Sequence, residues 1–278
     1  RDINLDAPGA LTDLALCYKY WIALTDCDGF RIDTLKHVSF EQARNFCGTI
    51  KEFAANLGKA NFFLVGEVAG GDFAATRYLD ALERNLNAAL DIGEMRLALG
   101  DVAKGLSPAR VYFDGFVPGL AVMGSHRNLG SRHVSILDDH DHVFGTKLRF
   151  SNDVMSQHHA AAAVALQLFT LGIPCIYYGT EQALGGPEPS ERQWLPDWGR
   201  ADRYLREAMF GPLHPRASGR AGIDPQALDT SLPGFGPFGT AGHHCFDECF
   251  PVYMRIAALA ALRAAFPVLR HGRQYLRP

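Results

Sequence analysis

Hydrophobic positions along the chain alternate between helical and extended spacing. Between about Pro8 and Leu24, apolar residues recur every three or four positions, which predicts an amphipathic helix. The next segment, "CDGFRID", is short and rich in apolar residues and predicts a strand. A second helix is predicted to begin after Ser39, which forms a capping box with Gln42, and to end at Gly58. The start of the chain is therefore predicted to run helix, strand, helix.

The same alternation continues toward the middle of the chain. The run "NFFLVGE" is apolar on both faces, as expected for a strand that is buried on both sides of a sheet. Three further segments are predicted strands: "NAALDIGEMR", "HVSIL" and "IPCIYYG". The alanine-rich segment between the last two, "MSQHHAAAAVALQLFTLG", is a predicted helix. Five strand-then-helix units in succession predict an α/β fold with a parallel sheet.

The alternation stops at about residue 184. From there to about residue 250, Gly, Pro, His and charged residues dominate, which predicts an irregular excursion with at most a short helix near 201–210. Within it, "GFGPFG" has the spacing of a dinucleotide-binding loop, but no predicted strand precedes it and no helix follows it, so we interpret it as a turn-rich loop. A final helix is predicted for "VYMRIAALAALRAAF". The predicted division is 1–183, 184–250 and 251–278.

Composition and charge exclude several classes of protein. The 278 residues are 47% hydrophobic and 21% charged, an ordinary balance for a globular chain with a core. The net charge of −3 argues against nucleic acid or an anionic membrane surface as the main partner, and no apolar run is long enough to span a bilayer. The segment "HHCFDEC" matches no common zinc spacing, so a local disulfide or free thiols are favoured there.

The first candidate site residues lie in the strand "DGFRID". Residues two apart in a strand share a face, so Arg31 and Asp33 are expected to point the same way at the strand's C-terminal end. A fixed guanidinium favours the ionised form of a neighbouring carboxyl, which suits a nucleophile. When the pair is taken alone, a structural salt bridge explains it equally well.

Two further predicted strands end in acids. Glu67 emerges from an apolar strand, where partial desolvation favours the protonated form of a general acid, although a solvated Glu at a strand end is also common. A later strand is followed by Asp138, Asp139, His140 and Asp141, which could bind a metal or supply one catalytic carboxylate. The C-terminal ends of parallel strands are where α/β folds place their sites. Two acids in contrasting environments there meet the requirement for retaining glycoside hydrolysis.

Together these segments resemble the α-amylase family, glycoside hydrolase family 13. The family's second motif, approximately G-F-R-x-D-x-x-K-H, is matched from Gly29 to His37, and its third, a strand ending in Gly-Glu, at residues 66 and 67. Its fourth, Asn-His-Asp or similar, is matched from residue 139 to 141, with Asp in place of the usual Asn. The segment "GIPCIYYGTEQ" resembles the family's eighth barrel strand. The resemblance implies a partial TIM (β/α)8 barrel made of about its last five units.

The resemblance also implies a role for each motif residue. Asp33 is implied to be the nucleophile, Glu67 the acid/base, and Asp141 the acid that stabilises the transition state by binding ring hydroxyls. Arg31 is implied to orient Asp33. Contacts with the sugar are implied for three further residues: Lys36, His37 and His140.

The substrate implied by the resemblance is an α-glucan or oligosaccharide, cleaved by hydrolysis or by glycosyl transfer, and Thr34 favours α-1,4 linkages. No cofactor, calcium, nucleic acid or membrane partner is expected. The family's first motif is not found before Asp33, so we expect the chain to form the C-terminal part of the barrel. Residues 251–278 would then hold the last barrel helix and the start of a further domain. The other barrel half, or another chain, would cover the open sheet edges, and the isolated chain would have little or no activity.

Two other functions remain open at this point. A non-catalytic relative would keep the fold as a binding or scaffold module, but such a protein would be expected to lose carboxylates that are all present here. A metal-dependent barrel hydrolase would use Asp138, His140, Asp141 and His142. Activity that survives chelators and is lost in Glu67→Gln would discriminate against the metal enzyme.

Overall fold

The structure is a computed structural model of the chain and describes a defined set of residues. They are 3–67, 84–90, 95–142, 147–152, 156, 158–184, 200, 202, 205–206, 209 and 246–276. The chain divides into two compact units, the first comprising Arg1–Glu94 and Phe116–Val134, and the second Met95–Gly115 and Ser135–Pro278. Within the described ranges, no helix is both long enough and apolar enough to cross a membrane.

Helices and strands alternate along the described chain. In order they are α1 Ala10–Thr25, β1 Gly29–Ile32, α2 Phe40–Asn56, β2 Phe63–Glu67, β3 Ala88–Leu90, α3 Met95–Lys104, α4 Ala109–Asp114, α5 Val117–Met123, α6 His126–Gly130, β4 His133–Ile136, α7 His158–Phe169, β5 Ile173–Cys175, α8 Pro251–Ala265 and α9 Val268–His271. Short 3₁₀ helices cover Leu35–His37, Phe150–Asn152 and Thr180–Gln182.

The strands form a five-stranded sheet in the order β1-β2-β3-β4-β5, and the pairs from β1 to β4 are parallel. Strand β4 runs from the first unit into the second. The chain-order sheet confirms the predicted α/β fold of successive strand–helix units. In β1 and β2, Gly29 is paired with Phe63 and Ile32 with Gly66. This register brings the residues that end the two strands to the same level of the sheet.

Two glycines let β1 and β2 take up these positions. A Cβ at Gly29 would lie 2.2 Å from the backbone oxygen of Phe63, so a side chain there would push the two strands apart. A Cβ at Gly66 would lie 2.5 Å from Leu86 Cδ1 and 2.9 Å from Leu35 Cδ2. Leu35 and Leu86 are both buried. The strand end that leads to Glu67 therefore has no space for a side chain at the preceding residue.

Helix α2 begins and ends near the residues that the sequence predicts. The Ser39 hydroxyl accepts a hydrogen bond from the Gln42 N–H at 3.3 Å, and the Gln42 side-chain amide donates to Asp6 Oδ1 at 2.7 Å. Gly58, with φ of +83°, adopts the left-handed conformation that ends many helices. The inner face of α2 consists of Ala43, Phe46, Cys47, Ile50 and Ala54, which are all buried. Leu57, just before Gly58, is exposed.

In the second unit, α7 packs against α3 and α8. Its buried side chains are Ala160, Ala161, Ala163, Val164, Gln167 and Leu168. The small alanines let neighbouring helices approach, while the Gln167 side chain is buried because its amide has two acceptors. Gln167 Nε2 donates to the carbonyl of Ser135 at 2.6 Å and to that of Cys175 at 3.0 Å. Helix α7 thus fixes the end of β4 relative to β5.

The structure corrects the sequence prediction in one segment and adds elements in another. Within "NAALDIGEMR", Ala88–Leu90 is extended, Met95 already belongs to α3, and residues 91–94 lie outside the described residues. The sequence does not predict helices α4 to α6, because helices of 6, 7 and 5 residues are too short for a periodic pattern to stand out. Most of the predicted helix at 201–210 and the "GFGPFG" loop lie outside the described residues. The division at 183 and 250 stays a prediction.

Candidate active site

One guanidinium lies between two acids at the ends of β1 and β2. Arg31 Nη1 is 2.5 Å from Asp33 Oδ1, and Arg31 Nη2 is 3.3 Å from Glu67 Oε2. Because β1 and β2 are parallel and their pairing ends at Ile32 opposite Gly66, the residues that follow emerge side by side. The structure therefore brings three of the predicted site residues together.

The backbone turns sharply after the first of these acids. Thr34 has φ of +50°, in the left-handed region that β-branched residues rarely adopt. Its N–H donates to Glu67 Oε2 at 2.8 Å, and the following Leu35 is buried. Glu67 thus stabilises the turn that carries Asp33, so the two acids are linked through the backbone as well as through Arg31.

The two acids differ in exposure. The side chain of Asp33 is 65% exposed, whereas that of Glu67 is 15% exposed. An open carboxylate beside a cation is accessible to an electrophile and remains charged, as a nucleophile requires. A shielded carboxyl next to it can exchange a proton with a bound group. The pair can therefore combine nucleophilic attack with proton transfer.

A second set of acids follows β4, in the second unit. Asp138 is 2% exposed, and its Oδ1 accepts from the Phe150 N–H at 2.8 Å. Burial raises the pKa of Asp138, against the opposing effects of His142, whose Nε2 is 3.7 Å from Oδ1, and of Arg149. Asp138 therefore has a structural role: it holds the chain where it returns at Phe150.

Asp139 connects this stretch to α3. Its Oδ2 accepts from Arg96 Nη1 at 2.7 Å, and its Oδ1 accepts from the backbone N–H of Asp141 at 2.9 Å. The side chains of Arg96 and Asp139 are 8% and 15% exposed. An asparagine at this position could still accept from Asp141 but could not balance the charge of Arg96. The departure from the usual Asn therefore fits a buried cation next to it.

Asp141 is held by a lysine. Lys147 Nζ lies 2.8 Å from Asp141 Oδ1 and 3.1 Å from Asp202 Oδ1. The hydrogen bond from Lys147 lowers the pKa of Asp141, although partial burial acts in the opposite direction. Burial by itself would lower the pKa of Lys147, but the hydrogen bonds to Asp141 and Asp202 outweigh it and the pKa is raised. Both groups are therefore charged at neutral pH.

The remaining residues that are predicted to bind substrate differ in their exposure and contacts. His37 is exposed at the end of the 3₁₀ helix that follows Asp33, while the side chain of Lys36 lies outside the described residues. His140 is partly exposed, and its carbonyl accepts from Arg206 Nε at 3.0 Å. Of the predicted set, Arg31, Asp33, Glu67 and His37 belong to the first unit, and His140 and Asp141 to the second.

Sequence reasoning missed four charged side chains that contact the candidate residues or their partners. Arg96 and Arg206 are 43 and 66 residues away from Asp139 and His140, which they contact. No motif contains them, and no local spacing indicates contacts at such separations. The full set missed is Arg96, Lys147, Asp202 and Arg206.

In the described part of the chain, no group of three or more His, Cys, Asp and Glu side chains could hold a metal ion. The donors that a metal hydrolase would use after β4 are bound by protein groups: Asp138 by the Phe150 N–H and Asp141 by Lys147. Residues 243–245 of "HHCFDEC" lie outside the described residues, and Cys249 is exposed as a free thiol.

Two adjacent tyrosines that follow β5 pack on an arginine. The guanidinium carbon of Arg149 lies 4.7 Å from the ring centre of Tyr177 and 4.5 Å from that of Tyr178. Arg149 is fully buried and also donates to the Tyr178 carbonyl at 2.6 Å. These two rings therefore contribute to the packing of the second unit. Trp194 and Trp198 lie outside the described residues.

Comparison with known proteins identifies relatives that match most of the chain. An α-amylase of Streptomyces lividans is 28% identical over 285 residues, which cover 98% of this chain and 27% of that protein. A cyclomaltodextrin glucanotransferase of Bacillus sp. (strain 17-1) is 26% identical over 201 residues, covering 71% of this chain and 26% of the relative. The chain thus spans about a quarter of the length of these relatives.

The fold has counterparts among solved structures. The crystal structure of the α-amylase from Geobacillus thermoleovorans, complexed with acarbose, superimposes with a TM-score of 0.65 at 20% identity, covering 97% of this chain and 47% of that one. This similarity confirms the predicted partial TIM barrel. The family described as "Alpha amylase, catalytic domain" matches residues 1–228, most of the sequence. The chain therefore belongs to the α-amylase catalytic-domain family.

Proposed function

We propose that this chain carries the nucleophile and the acid/base of an enzyme that cleaves α-glucosidic bonds with retention of configuration. Asp33 is the nucleophile and Glu67 the acid/base. The observation that supports this most is the Arg31 guanidinium, which contacts both carboxylates where two parallel strands end. A retaining mechanism needs two acids that are close together but differ in protonation.

The proposed reaction has two steps. An Asp33 oxygen attacks the anomeric carbon while the bond to the leaving oxygen breaks, and that oxygen takes the proton of Glu67. Water or a sugar hydroxyl then attacks the same carbon and gives its proton to Glu67. The bond between that carbon and the Asp33 oxygen breaks, and Asp33 is free again as a carboxylate. Arg31 orients the Asp33 carboxylate for the attack, because its Nη1 lies 2.5 Å from Oδ1.

The remaining residues act on the sugar rather than on the bond. We assign Asp141 to the ring hydroxyls and to the positive charge that develops on the ring, and His140 to hydroxyls near the cleaved bond. His37 and Lys36 contribute on the leaving-group side. Exposure of His37 and partial exposure of His140 and Asp141 support contact with a ligand.

The proposed substrate is an α-1,4-linked glucan or oligosaccharide. The names of the relatives support an α-glucan, since one is an α-amylase and another a cyclomaltodextrin glucanotransferase, and one matched structure is complexed with acarbose. Hydrolysis and transfer share the covalent intermediate, and the acceptor decides between them. Because the relatives are much longer, we propose that the isolated chain turns over polymer slowly and needs the other barrel half or another chain.

Covalent trapping tests the proposal. In 5-fluoro-α-maltosyl fluoride the leaving group departs as fluoride without a proton, so labelling depends chiefly on the nucleophile. We expect one adduct, located by peptide mass mapping at Asp33, and a loss of at least about a thousandfold in labelling rate in Asp33→Asn. The matched control is Asp28→Asn, an exposed acid just before β1, which should label normally.

Several outcomes would contradict the proposal. Equal labelling of Asp33→Asn, or an adduct at another residue, would overturn the assignment of the nucleophile. Glu67→Gln should still form the adduct but should lose it more slowly, because no base remains to activate water. With starch, the isolated chain should release reducing sugar no faster than Asp33→Asn does; clear turnover above that level would overturn the proposed need for a further part.

A further inference from the structure

The acid assigned to the sugar ring is tied to a residue of the excursion by a lysine. Lys147 Nζ lies 2.8 Å from Asp141 Oδ1 and 3.1 Å from Asp202 Oδ1, and Asp202 Oδ2 lies 3.4 Å from Arg206 Nη2. Arg206 Nε in turn donates to the carbonyl of His140 at 3.0 Å. Asp141 is thus connected to Asp202 through Lys147, and the backbone of His140 is connected directly to Arg206. We call Lys147, Asp202 and Arg206 the clamp.

Within the clamp, Lys147 is better shielded than the members of an ordinary surface ion pair, whereas Asp202 and Arg206 are 44% and 51% exposed. The side chain of Lys147 is 20% exposed and that of Asp141 39%, whereas Arg110 and Asp114, a pair on α4, are 77% and 56% exposed. Exposed pairs contribute little because solvent screens them, and shielding strengthens the interaction. A flexible lysine placed between two carboxylates also loses less by staying in one position, because both bonds hold it there.

We propose that Lys147, held by Asp202, is a positioning residue for Asp141: it fixes the carboxylate in direction and charge so that it can receive sugar hydroxyls. This role rests on the proposed function of Asp141. It assigns a part in the sugar site to Asp202 and Arg206, which belong to the excursion and to none of the family motifs.

The charges around Asp141 are consistent with this role. Lys147, His140 and Arg206 all favour its ionised form, and its backbone N–H is held by Asp139. Of these, Lys147 makes the hydrogen bond to the carboxylate and is the largest cause of its lowered pKa. Removal of Lys147 should therefore raise the pKa of Asp141 and release one constraint on the orientation of its side chain.

A titration of the unmodified 278-residue chain tests the first consequence directly. The carboxyl ¹³C signal of Asp141, assigned with Asp141→Asn, is followed against pH by NMR. Lys147→Gln should move its midpoint to higher pH, Lys147→Arg should keep it near the original value, and Arg110→Gln should not change it. An unchanged midpoint in Lys147→Gln would overturn the proposal.

The rate of labelling by 5-fluoro-α-maltosyl fluoride tests the second consequence. Loss of a hydrogen bond between charged groups should slow labelling about tenfold in Lys147→Gln, with a larger effect below the new midpoint of Asp141. Lys147→Arg should restore most of the rate. In an Asp141→Asn background, Lys147→Gln should have no further effect, because the residue that it positions is no longer charged.

Other outcomes separate the two proposals. Labelling that is unchanged or faster in Lys147→Gln would overturn the positioning role, and a faster rate would mean that Lys147 competes with the sugar for Asp141. Asp202→Asn, which leaves Lys147 in place, gives a second variant if Lys147→Gln does not fold, and a small loss of rate is expected. If the unmodified chain is not labelled, the proposed function fails, and the NMR titration still decides whether Lys147 controls Asp141.

Discussion

The acids at the ends of β1 and β2 are held quite differently from those after β4. At the first place, one cation, Arg31, contacts both Asp33 and Glu67. After β4, each acid has its own partner: Asp139 has Arg96 and Asp141 has Lys147. The first arrangement follows from strand register, whereas the second depends on a residue from α3 and on one from the segment between β4 and α7. A change after β4 should therefore disturb folding first, and a change at β1 should disturb chemistry first.

The largest effect is expected for Arg96→Met, which leaves the shielded carboxylate of Asp139 without its partner. Breaking a buried ion pair costs about 3–5 kcal/mol, so the free energy of unfolding in urea should fall by that order. Asp139→Asn alone should be similarly harmful, since Arg96 then loses the charge that lies 2.7 Å from its Nη1.

The double variant Arg96→Met/Asp139→Asn is the control for this effect. Its introduced asparagine keeps the acceptor for the Asp141 N–H, and no unpaired charge remains, so most of the stability should return. If the single variants unfold at the urea concentration of the unmodified chain, the pair contributes no stability and the contrast between the two regions fails.

Arg31→Met should have the next largest effect, and this effect concerns the labelling rate rather than stability. Asp33 loses the guanidinium that holds its carboxylate in place at 2.5 Å, so labelling by the fluoro sugar should slow about a hundredfold, equivalent to about 2.7 kcal/mol. Because the side chain of Arg31 is 35% exposed, the free energy of unfolding should change by less than about 1 kcal/mol. A variant that labels normally but unfolds easily would reverse the comparison.

The smallest effect is expected for Asp138→Asn and concerns how the free energy of unfolding depends on pH. Burial raises the pKa of Asp138, with His142 and Arg149 acting against the shift and Asp139 adding to it. The folded state therefore binds this proton more tightly than the unfolded state, and stability falls as the pH rises between the two pKa values. Asp141 acts in the opposite sense: its lowered pKa adds stability above the ordinary carboxyl range, which is lost as the pH falls through the folded value.

Urea unfolding at pH 5 and pH 8 measures this difference. The amide that replaces the carboxyl in Asp138→Asn keeps an oxygen that can accept from the Phe150 N–H, so the fold should survive. As the pH rises from 5 to 8, stability should fall less in Asp138→Asn than in the unmodified chain. The same slope in both proteins would mean that Asp138 does not titrate with folding.

Sequence could predict the first region because its geometry is local. A spacing of two in a strand put Arg31 and Asp33 on one side, and the next parallel strand supplied Glu67. The partners after β4 could not be found this way, because Arg96 comes from the first turn of α3 and Lys147 lies in an irregular segment. Alternating apolar runs predicted the five strands in order, but short helices leave no period and were missed.

Gly66 connects the two proposed catalytic acids mechanically. A methyl group there would meet Leu35, the second residue after Asp33, and Leu86, both packed in the interior. The ends of the Leu35 and Leu86 side chains now fill the space that this methyl group would need. Gly66→Ala would therefore force two interior leucines to repack beside the turn that carries Asp33, without touching either carboxylate.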